Sequence, residues 1–197
     1  MFWEQTVRLD FRDNPASPRK GGFASINMHQ AGYGLPSSWN YLRFTPEVRG
    51  YAPLPYGLVL AGRFAVGMMF IQSAGDRLDA LSAKLGPERY RLRGGGATSN
   101  RGFVAGDLGD GIEGGLRRWE ASLELRAMLT DNFGVVGFSD FGDVHAEPSF
   151  RFGHLNTSLG YGLRYLTPVG PVRFDMAWRV MPWQIIGGVA ENPNFIV

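Results

Sequence analysis

Arg101 and Asp140 are the residues whose types and settings could do work that a plain core does not need. Arg101 stands third from the end of the run Arg91-Leu92-Arg93-Gly94-Gly95-Gly96-Ala97-Thr98-Ser99-Asn100-Arg101-Gly102-Phe103. Three consecutive glycines let that backbone take positive φ and approach other groups closely. A guanidinium then offers a fork of donors matched to a carboxylate. Asp140 sits in Gly137-Phe138-Ser139-Asp140-Phe141-Gly142, a stretch otherwise mostly apolar. A charge there needs a partner or water. Two readings are open from the residues: Arg101 pins its loop on Asp140, or each is separately solvated.

Other chemistries fit less well. A lipid-hydrolysing barrel needs a Ser-His pair on its lipid face. Of the three histidines, His29 falls on a polar parity, and His145 and His154 lie in or beside a loop. Gly94-Gly95-Gly96 lacks the following Lys-Ser/Thr of a phosphate loop. Asp107, Asp110 and Glu113 could ligate calcium, but their spacing matches no standard loop, and a solvated tip is the simpler reading. There is no cysteine, which removes disulfide scaffolds and thiolate metal sites. The net charge of +2 gives no footprint for nucleic acid. The expectation is a protein that is not an enzyme, with no cofactor, no metal site and no nucleic-acid partner.

The elements that must position Arg101 and Asp140 read as strands. From Trp3 to Asp13, Glu4, Thr6, Arg8, Asp10 and Arg12 alternate with Trp3, Val7, Leu9 and Phe11, the period of a strand with one polar face. The same period recurs over 23–33, 40–52, 58–70, 118–129, 133–144, 155–166 and 171–180. Eight strands of about 10–13 residues in hairpin succession are expected, and no helical periodicity holds beyond a short turn near Leu78 to Leu85. Residues 72–117 form a connection with no strand or long helix, a length that compact domains rarely carry without function. From Met181 to Val197 the pattern lapses.

With 44% hydrophobic residues the chain is apolar, yet its most apolar run, Gly57 to Ile71, is broken by Arg63 and is too short for a membrane helix. Dyad alternation with long loops on one side is instead the pattern of a transmembrane β-barrel. Arg, Glu and Asp fall almost entirely on one parity, which would face a lumen. Tyr33, Trp39, Tyr51, Tyr56, Phe133 and Tyr165 lie near strand ends, as interfacial aromatics do. A soluble sandwich or lipocalin-like barrel also alternates, but its wet face would be rich in Lys, and here the lysines are Lys20 and Lys84. An eight-stranded barrel is already filled by its own side chains, so a loop of this length going inward implies that these strands are a section of a wider wall.

Four motifs then line up. Arg101-Gly102-Phe103 resembles the R-G-[FY] loop motif of the BamA/TamA superfamily of outer-membrane insertases, which includes two-partner secretion transporters. Phe138-Ser139-Asp140-Phe141-Gly142 resembles that family's F-x-D-x-G strand motif. Arg12-Asp13-Asn14-Pro15 to Pro18-Arg19-Lys20-Gly21 is similar to its D-x-x-x-P-x-x-G hairpin, and Thr167-Pro168-Val169-Gly170-Pro171-Val172-Arg173 to its penultimate turn. The resemblance implies an all-β fold, an antiparallel section of a 16-stranded barrel, with the long loop folded into the lumen. It implies that Arg101, Gly102 and Phe103 form the loop tip, with Asp140 as the contact of Arg101 and Phe138 and Gly142 shaping it. It also implies that the chain holds strands eight to fifteen as a single partial domain, without the periplasmic POTRA domains, the earlier strands or the last strand. Met1-Phe2-Trp3-Glu4 does not begin a signal peptide, which leaves a cytoplasmic protein or a start that is not the native one.

The function this implies is folding and insertion of client β-barrel proteins in the outer membrane of a Gram-negative bacterium. The expected partners are outer-membrane lipid, unfolded client proteins and periplasmic accessory proteins met through other domains. The alternatives are a two-partner-secretion-type transporter or passive pore with the long loop as plug, and a purely structural surface barrel.

Overall fold

The computed structural model describes residues 1–34, 36–73, 80–109, 113–186 and 189–191, with side chains placed except at 80–82 and beyond 180. Within them one antiparallel meander accounts for the whole architecture. Its strands are β1 (Phe2–Asp10), β2 (Gly21–Ala31), β3 (Asn40–Pro53), β4 (Leu58–Ser73), β5 (Arg117–Met128), β6 (Phe133–His145), β7 (His154–Thr167), β8 (Gly170–Ile186) and the short β9 (Val189–Glu191). Each strand pairs with the next, in the order β1 to β9. The two edge strands do not pair with one another among the described residues, so the sheet is open.

Several bounds differ from the alternation in the sequence: β2 spans Gly21–Ala31 rather than 23–33, and β4 runs to Ser73 rather than 70. β1 stops at Asp10 rather than running to Asp13, because Asp13 is taken up by the turn: its Oδ1 accepts from the backbone N–H groups of Asn14, Arg19 and Lys20 at 3.0, 3.0 and 3.2 Å. β8 continues past residue 180 to Ile186, where backbone pairing with β7 reaches Gln184 although the alternation has lapsed. Asn194 to Val197 lie outside the described residues.

Alternation becomes two faces through the register. On the outer face Val7 lies opposite Ile26, Val48 opposite Phe64, Leu159 opposite Trp178 and Tyr161 opposite Met176. Phe64, Leu123, Leu159, Phe174 and Trp178 are all exposed there. Apolar surface of that extent has no place in water and fits a lipid-facing wall. On the inner face one row runs Arg63, Ser122, Asp140, Ser158, Arg179, and the next runs Ala61, Glu124, Phe138, Gly160, Ala177.

Charge is not confined to the inner parity. Arg117 and His145 face one another in register, as do Trp119 and Asp143, on the face that also carries Leu123 and Leu125. All three polar residues lie at the strand ends nearest the long connections, where a barrel wall leaves the hydrocarbon.

The connections 11–20, 54–57, 129–132 and 168–169 fall at one end of the sheet, and 32–39, 146–153 and the long 74–116 at the other. The long connection contains a six-residue helix (Ala80–Leu85) and a 3-10 turn (Glu88–Tyr90); residues 78 and 79 of the turn expected over 78–85 lie outside the described ones. Its root packs on the inner face, where Leu85, Leu92 and Leu116 join Ala31, Tyr41 and Met69 in a buried cluster. No described helix is long and apolar enough to cross a membrane.

Candidate functional site: the inward loop and its dock

Leu92 and Gly115 close the neck of the loop with a two-way backbone bridge, at 3.0 and 2.8 Å. Beyond it the chain makes a narrow hairpin: Gly106 N–H donates to Gly94 O at 2.9 Å and Gly96 N–H to Phe103 O at 2.8 Å. Gly95 and Gly96 hold φ of 95° and 88°. A Cβ on Gly95 would lie 2.3 Å from Val104 O, so only glycine closes this hairpin. The hairpin is thereby aimed at β5–β8 with residues 97–102 at its tip.

Arg101 is the centre of the contact. Its backbone N–H and Nε donate to Asp140 Oδ2 at 3.0 and 2.8 Å, and Nη2 donates to Asp140 Oδ1 at 2.7 Å. Nη1 reaches Glu124 Oε1 at 2.7 Å and Asp175 Oδ2 at 3.4 Å, and Nη2 also donates to Ser122 Oγ at 3.1 Å. Ser122 Oγ in turn donates to Asp140 Oδ1 at 2.6 Å. The guanidinium carbon sits 3.4 Å from the centroid of the Phe138 ring, a cation–π contact. The side chains of Arg101 and Asp140 are 6% and 1% exposed, so water screens the pair little. Burial alone would lower the affinity of Arg101 for its proton; the hydrogen bonds and charge of Asp140, then Glu124, outweigh that and hold it above the usual arginine range.

Neighbouring groups complete the dock. Gly102 N–H points at Ser158 Oγ at 3.3 Å, and a Cβ there would lie 2.5 Å from Ser158 Cβ. Phe103 stacks under Arg179 at 4.3 Å, while Arg179 Nε donates to Gly102 O at 3.1 Å and Nη2 to Asp107 Oδ2 at 2.7 Å. Asn100 donates to Asn156 O at 2.8 Å and accepts from Ser158 Oγ at 2.6 Å. Ser99 Oγ donates to Glu120 Oε1, which belongs to a chain of charges running through Arg63 to Glu47.

All six residues expected at the site lie in or beside this contact, in two different relations to Arg101. Phe138 lies directly beneath the guanidinium, and its ring fills the space over Gly160, where a Cβ would come within 2.4 Å of it. Gly142 instead makes room for the cross-strand Trp119 carbonyl and for Leu108, which would lie 2.8 and 3.2 Å from a Cβ there. Sequence reasoning missed Ser122, Glu124, Ser158, Asp175 and Asn100. The pairing of β5 with β6 across the turn 129–132 carries enough signal to find Ser122 and Glu124, since Ser122 faces Asp140 and Glu124 faces Phe138.

No described group of three or more His, Asp or Glu could hold a metal ion. Of the residues weighed for calcium, Asp107 pairs with Arg179 and Glu113 with Arg91, and Asp110 lies outside the described residues. His29 is stacked between Phe2 and Tyr41. The arrangement is a charge-assisted latch, with three carboxylates converging on one guanidinium.

A profile of the Omp85 superfamily domain matches residues 2–183. The fold is similar to that in the crystal structure of BamA from Haemophilus ducreyi lacking POTRA domains 1-3, with a TM-score of 0.72 and 20% identity over 95% of this chain. The chain spans 40% of the length of that structure. Among curated protein sequences none matches significantly.

Proposed function

The chain belongs to the Omp85 superfamily, as an integral outer-membrane β-barrel protein of a Gram-negative bacterium, and from that premise we propose that it helps fold and insert client β-barrel proteins into the outer membrane. The observation that supports this reading is the capture of Arg101 by Asp140, Glu124 and Asp175. The latch fixes a long loop against the inner wall, so that the strands keep their shape while a client chain is handled. The work is done by positioning, with no cofactor and no covalent chemistry. Its partners are membrane lipid, unfolded client proteins and periplasmic accessory proteins.

The test reconstitutes the protein in vesicles and follows folding of an unfolded outer-membrane protein added outside. Arg101→Ala is expected to slow client insertion and to expose the loop to protease. A loop that becomes cleavable while insertion proceeds at the original rate overturns the proposal. A second reading, a secretion transporter or passive pore with the loop as plug, draws on the charged cavity of about 180 Å³ between loop and wall, lined by Arg49, Arg63, Arg101, Arg126 and Arg173. Ionic conductance that rises in Arg101→Ala with client insertion unchanged selects that reading.

A further inference from the structure

Arg117 is an arginine on the apolar face. In register it opposes Met68 and His145, and it shares its parity with Trp119, Leu123 and Leu125. Its whole residue is only 7% exposed. Nη1 donates to two backbone carbonyls, Met69 O at 2.8 Å and Leu116 O at 2.9 Å. The guanidinium lies against the rings of Phe70 and Phe150, at 4.6 and 5.9 Å. Among the described residues no carboxylate stands within ion-pair distance of it, and Nε and Nη2 have no hydrogen-bond partner. Nε and Nη2 are not among the atoms closed off from the surface, so a largely covered guanidinium presents two open donors and no counter-charge to an approaching anion.

Position says which anion. Arg117 is the first residue of β5, at the end of the sheet that carries the long connections, and in outer-membrane barrels that end faces the cell exterior. Trp119, one step toward the hydrocarbon on the same face, packs on Phe152 at 5.6 Å, as an aromatic at the membrane interface does. Arg117 therefore stands at headgroup depth. It borders a cavity of about 350 Å³ shared with Phe70, Lys84, Leu116 and Pro148. Toward the hydrocarbon from Arg117 and its partner Met68, the outer face of β4 carries Val66 and then the exposed Phe64, an apolar track suited to an acyl chain. Lys84 is half exposed and pairs with Glu147 at 2.6 Å, leaving donors over, since an ammonium has three.

We propose that Arg117, assisted by Lys84, binds the phosphate group of an outer-leaflet lipid, whose acyl chains lie over Val66 and Phe64. An arginine fork donates to two phosphate oxygens at once, and basic pockets at membrane interfaces take lipid headgroups in this way.

The experiment is native mass spectrometry of the full chain released from detergent, titrated with lipid A bearing its phosphates, with dephosphorylated lipid A, and with inorganic phosphate as competitor. One lipid A molecule is expected to be retained through a phosphate-dependent site. Arg117→Gln is expected to weaken that retention about tenfold, the worth of a charge-assisted hydrogen-bond pair. Arg117→Lys should fall between, and Lys84→Gln should lose less than Arg117→Gln. If Arg117→Gln fails to fold, judged by heat-dependent mobility in gels, the Lys variants carry the test. Equal retention of dephosphorylated lipid A, or retention unchanged in every foldable variant, overturns the proposal. Displacement by millimolar inorganic phosphate also overturns it, and assigns the site to a free anion.

Discussion

At the scale of single residues, the dock is a balanced set of charges rather than one pair. Arg101, Arg126 and Arg164 face Glu124, Asp140 and Asp175, each arginine within ion-pair distance of at least one of these carboxylates. Asp140 is the member with least access to water, 1% exposed, and the one that holds Arg101 through both oxygens and its backbone N–H. Asp140→Asn keeps the shape and removes the charge, leaving Arg101 with too little counter-charge in a dry site. Breaking one partner of a buried pair costs about 3 kcal/mol, so the urea midpoint of unfolding is expected to fall accordingly. A midpoint equal to that of the parent protein would show that Glu124 and Asp175 suffice.

Among elements, the turn joining β1 to β2 works through one side chain. Hydrogen bonds from the backbone N–H of Arg19, then those of Lys20 and Asn14, outweigh desolvation and hold the Asp13 carboxyl below its usual value of 3.8. A depressed folded value means that the carboxylate stabilises the turn above that usual value. The contribution is lost as pH falls through the lower folded one. Amide protection at Arg19 and Lys20, corrected for intrinsic exchange, is therefore expected to be pH-independent near neutrality and to drop in acid below about pH 3.8. In Asp13→Asn the acid drop should vanish. Protection that falls equally in both proteins would assign the effect to some other group.

For the whole molecule, the loop and the inner face are halves of one structure. Asp140 and Glu120 are buried at 1% and 2%, and each is met from the loop, by Arg101 and by Ser99. Replacing residues 93–107 with a short Gly-Ser linker strips both at once and also frees Arg179, which holds Gly102 and Asp107. The temperature at which the folded band is lost in gels is expected to fall further than in Arg101→Ala. The combined loss should not equal the sum of the single substitutions, since these groups share partners. A linker variant as heat-resistant as the parent would mean that the wall needs no loop.

The sequence by itself determined the elements and their faces. Period-two alternation depends only on the strand's geometry, and hairpin succession through short turns then orders the sheet. Arg101 and Asp140 stood out by type, a guanidinium after glycines and a lone acid among apolar residues, while Gly102, Phe103, Phe138 and Gly142 entered only through the family resemblance. Tertiary structure alone decided what those residues meet. Asp175 and Arg179 reach the loop from a strand more than 70 positions away, a contact that no local pattern encodes. A Cβ on Gly142 would meet the Trp119 carbonyl and Leu108 rather than Arg101, a neighbourhood set by strand pairing and loop packing together. Arg117 was hidden for the same reason: charge at a strand end reads as the edge of a loop until the register with Met68 and His145 turns it toward the lipid.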